Sequence, residues 1–270
     1  MKIRFAKPNQ LLSPYIERYW SWENEGNDSC YLPHVPPGVG IDLYFHYKDT
    51  FSIQDIGGLA HSHLLYSKDQ SYRILPSTRV GFIVIRFRCG MFGNFTLVPS
   101  HEFADAFVDA NMIWKTEGKQ LEEQVGTAKT LEERINLLEV FLMRQLGRYQ
   151  KSVPNYWKEV MDILYYHHED ARLDDLARQI RITPRHFRRV FYEFSGITPK
   201  HFQQLSRFRA VLKPLLLNNN SDYLPVALDK GYFDQMHFIK EFKRFMNITP
   251  TSFFIPDNFQ AHFYYSSFNN

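Results

Sequence analysis

Residues 183–202 read TPRHFRRVFYEFSGITPKHF, and residues 234–253 read DQMHFIKEFKRFMNITPTSF. A shift of 51 positions brings eight identities into line. His186, Phe187, Phe191 and Phe194 meet His237, Phe238, Phe242 and Phe245, while Ile197, Thr198, Pro199 and Phe202 meet Ile248, Thr249, Pro250 and Phe253. Chance would supply about one match in such a window at average residue frequencies. One structural unit is therefore used twice.

Each copy has the grammar of a helix-turn-helix. In the first, residues 173–180 (LDDLARQI) put Leu173, Leu176 and Ile180 on one helical face. A short break ends in Thr183 as N-cap and Pro184 at the first helical position. The next helix turns Phe187, Phe191 and Phe194 inward, and Gly196 ends it. The second copy repeats this with residues 226–230, a turn at Gly231-Tyr232-Phe233, an Asp234 N-cap and an inward Phe238, Phe242 and Phe245. Residues 199–217 form a long joining helix, in which Pro214 is placed to bend or shorten the last turn.

With the Phe stripes inward, the opposite faces follow. The first copy presents Arg185, His186, Arg188 and Arg189; the second presents Gln235, Met236, His237, Ile239 and Lys240. Guanidinium forks suit guanine edges or phosphate, whereas an amide and apolar groups suit adenine and the thymine methyl. On one isolated helix such arginines would be read as a solvated face. On the second helix of a duplicated helix-turn-helix they are read as a DNA-contacting surface. Arg188 or Arg189 is expected on bases, and Lys243 or Arg244 on phosphate.

Working outward, the charge follows the repeat. Residues 152–254 hold 15 Lys+Arg against 11 Asp+Glu, whereas residues 1–151 hold 17 of each. The chain's net charge of +3 thus originates in the repeated half, as an electrostatic footprint for DNA requires. The first half alternates instead, with strands expected at residues 41–47, 51–56 and 80–88 (VGFIVIRFR) and Gly or Pro punctuation between them. A helical period begins at Glu102, and Leu131, Ile135, Leu138, Leu142 and Leu146 form one stripe. The expected class is α+β: residues 1–150 as a small β-barrel with helices, 151–256 as the double helix-turn-helix, and 257–270 as an aromatic tail. Cys30 and Cys89 are too few for a disulfide framework. The opening MKIRFAKPNQLLSPYIERYW has no apolar signal core, and no run of apolar residues suits a membrane span. A cytoplasmic location is expected.

The stretches LDDLARQIRITPRHFRRVFYEFSGITPKHF and VALDKGYFDQMHFIKEFKRFMNITPTSFF resemble the two units of the AraC/XylS family of bacterial transcription regulators, over roughly residues 158–254. The resemblance implies two recognition helices in successive major-groove segments of double-stranded DNA, with RNA polymerase as a partner. Asn247 stands where the family usually has Gly, a position Asn can fill because it tolerates the left-handed conformation. Asn218-Asn219-Asn220 makes an unusually polar end to the joining helix. The first half, with LLSPYIERYWSWE and FIVIRFRCGMFGNF, resembles cupin-like sensor domains of the family, which implies a small-molecule effector or partner protein. The Leu131–Leu146 stripe would serve either a homodimer or packing within the chain.

The remaining chemical signals point to no cofactor. His61-Ser62-His63 mimics a metal cupin, but only Glu102 could be offered as a third ligand, without a defensible spacing. These histidines are expected in a loop. His167-His168 fit a helix end. Cys89, beside Arg86 and Arg88, could be a reactive thiol but is more simply core. The rival function, a cupin-like enzyme fused to a DNA-binding domain, lacks both metal ligands and a nucleophile–base pair. A ligand-responsive regulator, an activator by resemblance, is the leading expectation.

Overall fold

Alternation along the strands organises the first half. The computed structural model describes residues 2–24, 34–75, 77–169 and 171–260, so Cys30 and residues 261–270 of the tail lie outside the described residues. Ten strands occur among them: β1 (Lys2–Ala6), β2 (Ile16–Glu23), β3 (His34–Val35), β4 (Asp42–His46), β5 (Ser52–Ile53), β6 (Gly57–Gly58), β7 (Ser62–Leu65), β8 (Tyr72–Arg73), β9 (Gly81–Phe87) and β10 (Phe107–Asp109). Six of them form one antiparallel sheet in the order β1-β2-β9-β4-β7-β10, and β3-β8 and β5-β6 form two ribbons. Hydrogen bonding does not close the six strands into a ring among the described residues.

Both sheet faces are covered. In β9, Ile83, Ile85 and Phe87 enter one core, while Phe82 and Val84 enter a second. β4 does the same with Leu43 and Phe45 against Tyr44. A period of two sends neighbours to opposite faces, and here both faces are apolar. The second core is aromatic, built on Trp20, Trp22, Tyr44, Phe51, Tyr72 and Phe82. The first continues without a break into the helical half, reaching Trp157, Phe191 and Phe242.

Three features of the first half differ from the sequence reading. The strand expected at 51–56 is only Ser52–Ile53, because Asp55 and Gly57 take positive φ and turn the chain. The helical period does not start at Glu102: a 3-10 turn (Ser100–Phe103) and β10 intervene, and α1 (Ala110–Thr127) begins where Asp109 accepts from the Asn111 N–H. His63 lies in β7, not in a loop.

α2 (Leu131–Tyr149) opens with a capping box between Thr130 and Glu133. Its stripe is covered within the chain: Leu138, Phe141 and Leu142 are buried in the first core, with Leu131, Ile135 and Leu146 packed against it. Glu139 holds the Asn9 backbone and amide at 2.8 and 2.9 Å.

The helical half contains α3 (Trp157–Tyr166), α4 (Leu173–Gln179), α5 (Pro184–Ser195), α6 (Pro199–Leu217), α7 (Tyr223–Asp229), α8 (Gln235–Met246), α9 (Pro250–Phe253) and α10 (Pro256–Gln260). α6 runs through Pro214 to Leu217, so the proline does not end it early. α7 begins at Tyr223, ahead of the expected 226, because Pro225 is tolerated in a first turn. Among the described residues no helix is long and apolar enough to cross a membrane.

Candidate nucleic-acid interface

α4 and α5 make the first helix-turn-helix. Thr183 accepts from the His186 N–H at 3.2 Å, Pro184 opens α5, and Gly196 closes it at φ 76°. Phe187 and Phe191 are buried, as the stripe requires. Phe194 is only half-buried and stacks near Trp157, with ring centroids 5.0 Å apart; Val190, unassigned by the stripe, is buried. Arg185, His186, Arg188 and Arg189 are all exposed along the first half of the helix. Arg188 reaches Asp174 of α4 at 3.0 Å. Arg189 reaches Glu193 at 2.6 Å and His186 Nδ1 at 3.2 Å. Exposed pairs of this kind contribute at most about 1 kcal/mol, so phosphate or base partners can displace them.

α7 and α8 make the second unit, with Asp234 accepting from the His237 N–H at 2.7 Å. Asn247 closes α8 at φ 57°, filling the left-handed position taken by Gly196 in the first copy. Phe238, Phe242 and Phe245 are fully buried. Gln235, Met236, Lys240, Lys243 and Arg244 are exposed, and His237 and Ile239 are half-buried. Gln235 donates to the Tyr223 hydroxyl at 3.2 Å.

The two turns differ. Residues 180–183 separate α4 from α5, whereas residues 230–234 separate α7 from α8, so the second turn is one residue longer. Phe233 stands in that longer turn with 88% of its surface exposed, beside Met236 at 72%. Periodicity passes over Phe233, although an aromatic in a turn without an inward period is the available signal. The left-handed turn position is Gly231 in the second copy and Arg181, at φ 59°, in the first.

Beneath α8 lies a buried polar network that periodicity does not reveal. Glu241 accepts from Arg207 of α6 at 2.8 Å and from the Tyr232 hydroxyl. The Arg207 guanidinium lies 4.4 Å from the centre of the Tyr232 ring. Burial first, then the Glu241 carboxylate, push the Tyr232 phenol up. The network ties the joining helix α6 to α8.

The sheet domain grips both α5 and α8 at their C-terminal ends. Tyr66 donates to the Ser195 carbonyl at 2.7 Å, and Ser100 to the Phe194 carbonyl at 3.2 Å. A Cβ on Gly196 would come within 2.9 Å of the Ser100–His101 backbone, so glycine is needed for the approach as well as for its φ. At α8, Ser71 donates to the Met246 carbonyl at 3.1 Å. Asp69 stands 3.4 Å from Arg244 and 3.3 Å from His201. Asp105 holds that loop, accepting from the N–H groups of Lys68, Asp69 and Gln70. Arg244, expected on phosphate, is therefore engaged by the first domain, while Lys243 is exposed.

The histidine and cysteine signals resolve differently. His63 is buried, its ring stacked on Tyr44 at 5.0 Å and near His46 at 5.2 Å, and burial lowers its pKa to about 4. His61 is exposed, and so is Glu102. No group of three or more His, Cys, Asp or Glu side chains is arranged to hold a metal among the described residues. Burial pushes the Cys89 thiol up to about 12, the opposite of an activated nucleophile. His168 is half-buried at the end of α3, Nδ1 3.1 Å from the Tyr165 carbonyl oxygen, and His167 is the C-cap residue.

Two family models match the chain: a helix-turn-helix domain over residues 176–254, and a domain of unknown function (DUF6597) over residues 4–109. A helix-turn-helix-type transcriptional regulator of Haemophilus influenzae is 28% identical over 91 residues, 34% of this chain and 30% of the relative. The match thus spans under a third of that relative's length. Among solved structures, ToxT from Vibrio cholerae aligns at 12% identity over 94% of this chain and 98% of its own, with a TM-score of 0.47. An apo form of ToxT with one lysine replaced by alanine aligns at 12% identity over 92% and 98%, with a TM-score of 0.43. Over residues 176–254 the chain thus carries a helix-turn-helix domain similar to that of transcription regulators.

Proposed function

We propose that the chain is a DNA-binding transcription regulator in which α5 and α8 read adjacent major-groove segments of one asymmetric site. The observation that carries this reading is the placement of the exposed side chains. Helix-turn-helix proteins touch base edges with the N-terminal part of the recognition helix. Arg185, His186, Arg188 and Arg189, and likewise Gln235, Met236, Ile239 and Lys240, occupy that part, while the sheet domain grips the opposite ends. Docking therefore leaves both reading faces free.

The 19 residues of α6 span about 28 Å at about 1.5 Å per residue. One turn of DNA separates equivalent groove positions by about 34 Å. The joining helix thus suits neighbouring turns. Arg188 and Arg189 read bases, and Lys243 anchors phosphate. A small-molecule effector acting through the sheet domain, activation through RNA polymerase, and self-association complete the reading.

Selection from random duplexes tests it. Replacing Arg188 or Arg189 by Ala should cost about 1–3 kcal/mol and relax preference at one position. Replacing Lys243 should weaken all sequences evenly and flatten the salt slope by about one unit. An unchanged consensus after loss of both arginines contradicts the assignment.

A further inference from the structure

The second turn carries one residue that the first lacks, and backbone hydrogen bonds identify it. The Ile182 N–H donates to the Ala177 carbonyl at 3.0 Å, and the Tyr232 N–H to the Ala227 carbonyl at 3.1 Å. Each bond comes directly after a left-handed residue, Arg181 in one copy and Gly231 in the other. Ile182 is therefore the counterpart of Tyr232, and both turn inward: Ile182 packs against the core and Tyr232 is buried in it. The N-cap Thr183 follows Ile182 at once, whereas Phe233 stands between Tyr232 and the N-cap Asp234. Phe233 is the added residue.

The addition does little for packing, since 88% of Phe233 is exposed. Its backbone is nonetheless fixed on both sides. The Phe233 N–H donates to His237 Nδ1 at 3.3 Å, and Asp234 caps α8. On the other side Tyr232 is tied to Glu241 and faces the Arg207 guanidinium. The turn thus holds an aromatic ring in water at the N-terminal end of α8, with exposed Met236 almost one helical turn further on. Apolar surface left in water favours a partner that covers it. A ring displayed on a fixed backbone loses little freedom when that happens.

The surroundings select the partner. α8 exposes Lys240, Lys243 and Arg244, and its one acid, Glu241, is buried. Of the neighbouring acids, Asp234 is committed to the cap and Asp229 lies 2.7 Å from Lys230. An apolar edge backed by cations, on the second helix of a helix-turn-helix, is complementary to the major groove. There the thymine 5-methyl is an apolar group among polar base edges, and phosphates line both sides.

We propose that Phe233 and Met236 take up thymine 5-methyl groups in the segment that α8 reads, which makes them specificity-determining residues of the second unit. This rests on the regulator reading above.

The test removes the methyl and nothing else. A site selected from random duplexes is remade with deoxyuridine in place of each thymine in turn, and the affinity of the full chain is measured at fixed salt. The α8 half-site is the half whose preference survives loss of Arg188 and Arg189. One or more of its thymines should lose about fourfold in affinity on replacement, the worth of one buried methyl. In Phe233→Ser or Met236→Ala the uracil effect at the matching position should vanish, and Phe233→Leu should restore part of it. Circular dichroism checks that each variant is folded. Uracil effects of equal size in the original chain and in both variants overturn the proposal. So does a drop in mass on sedimentation of Phe233→Ser without DNA, with the uracil effects unchanged, because the ring would then be a self-association contact. A consensus in the α8 half-site that ignores uracil overturns the methyl contact alone. No preference at all in that half-site overturns both the contact and α8 as a reader.

Discussion

The two helix-turn-helix units share a core and differ over most of the surface that could read DNA. Both bury a phenylalanine at the same place in the recognition helix, Phe187 and Phe238, and another a turn later, Phe191 and Phe242. Both begin on a side-chain N-cap and end on a left-handed residue. Yet the first exposes arginines, while the second exposes an amide, a thioether and, in its longer turn, Phe233. The second alone rests on a buried Arg207–Glu241–Tyr232 network. Packing has held the fold of the repeat constant while the exposed faces diverged, so the proposed reading expects the two helices to prefer different bases.

The largest expected effect tests the shared part. Truncating Phe187, Phe191, Phe238 or Phe242 to Ala should each cost roughly 3–5 kcal/mol in denaturant titration of the full chain. A loss below about 1 kcal/mol, too small for a buried aromatic, in one unit only would break the equivalence of the two cores.

A smaller effect tests how differently the units are held by the sheet domain. Asp69→Ala releases Arg244 and removes an exposed contact worth about 0.2–1 kcal/mol. Duplex affinity should rise by at most about fivefold, with a steeper salt dependence because one more cation reaches phosphate. An unchanged salt slope would mean that Arg244 takes no part in binding even when freed.

An effect of similar size, on stability alone, concerns the turns. Arg181 occupies a left-handed position that the second unit gives to Gly231. Arg181→Gly should therefore stabilise the chain by about 0.5–1 kcal/mol in thermal or chemical unfolding, the strain relieved less the entropy of glycine. Destabilisation would show that the Arg181 side chain is held by contacts worth more than its backbone strain.

Local signals are legible in the sequence: caps at Thr183 and Asp234, the helix end at Gly196, the Phe stripes and the alternation of β9. These depend on neighbours within a turn or two, and the chain spells them out. The contacts that position the site depend on residues far apart. Asp69 and Arg244 are 175 positions apart, and Tyr66 and Ser195 are 129 apart. No periodicity encodes such a pairing. His63 escapes a sequence reading for a related reason, since a polar ring beside Gly57-Gly58 reads as a loop until the buried Tyr44 and His46 rings on the neighbouring strand are known. The pairing of Arg18 of β2 with Arg86 of β9 likewise exists only through strand register.

The central claim is that one chain reads two neighbouring groove segments with two unlike helices. Inserting about five base pairs, half of a turn of about 10–10.5, between the two half-contacts of a selected site turns one segment to the far side of the duplex. The claim predicts loss of tight binding by the full chain, recovered when the original spacing is restored. Equal affinity for the native and spaced sites would contradict it, and would leave the arginine-bearing α5 as the sole reader of sequence.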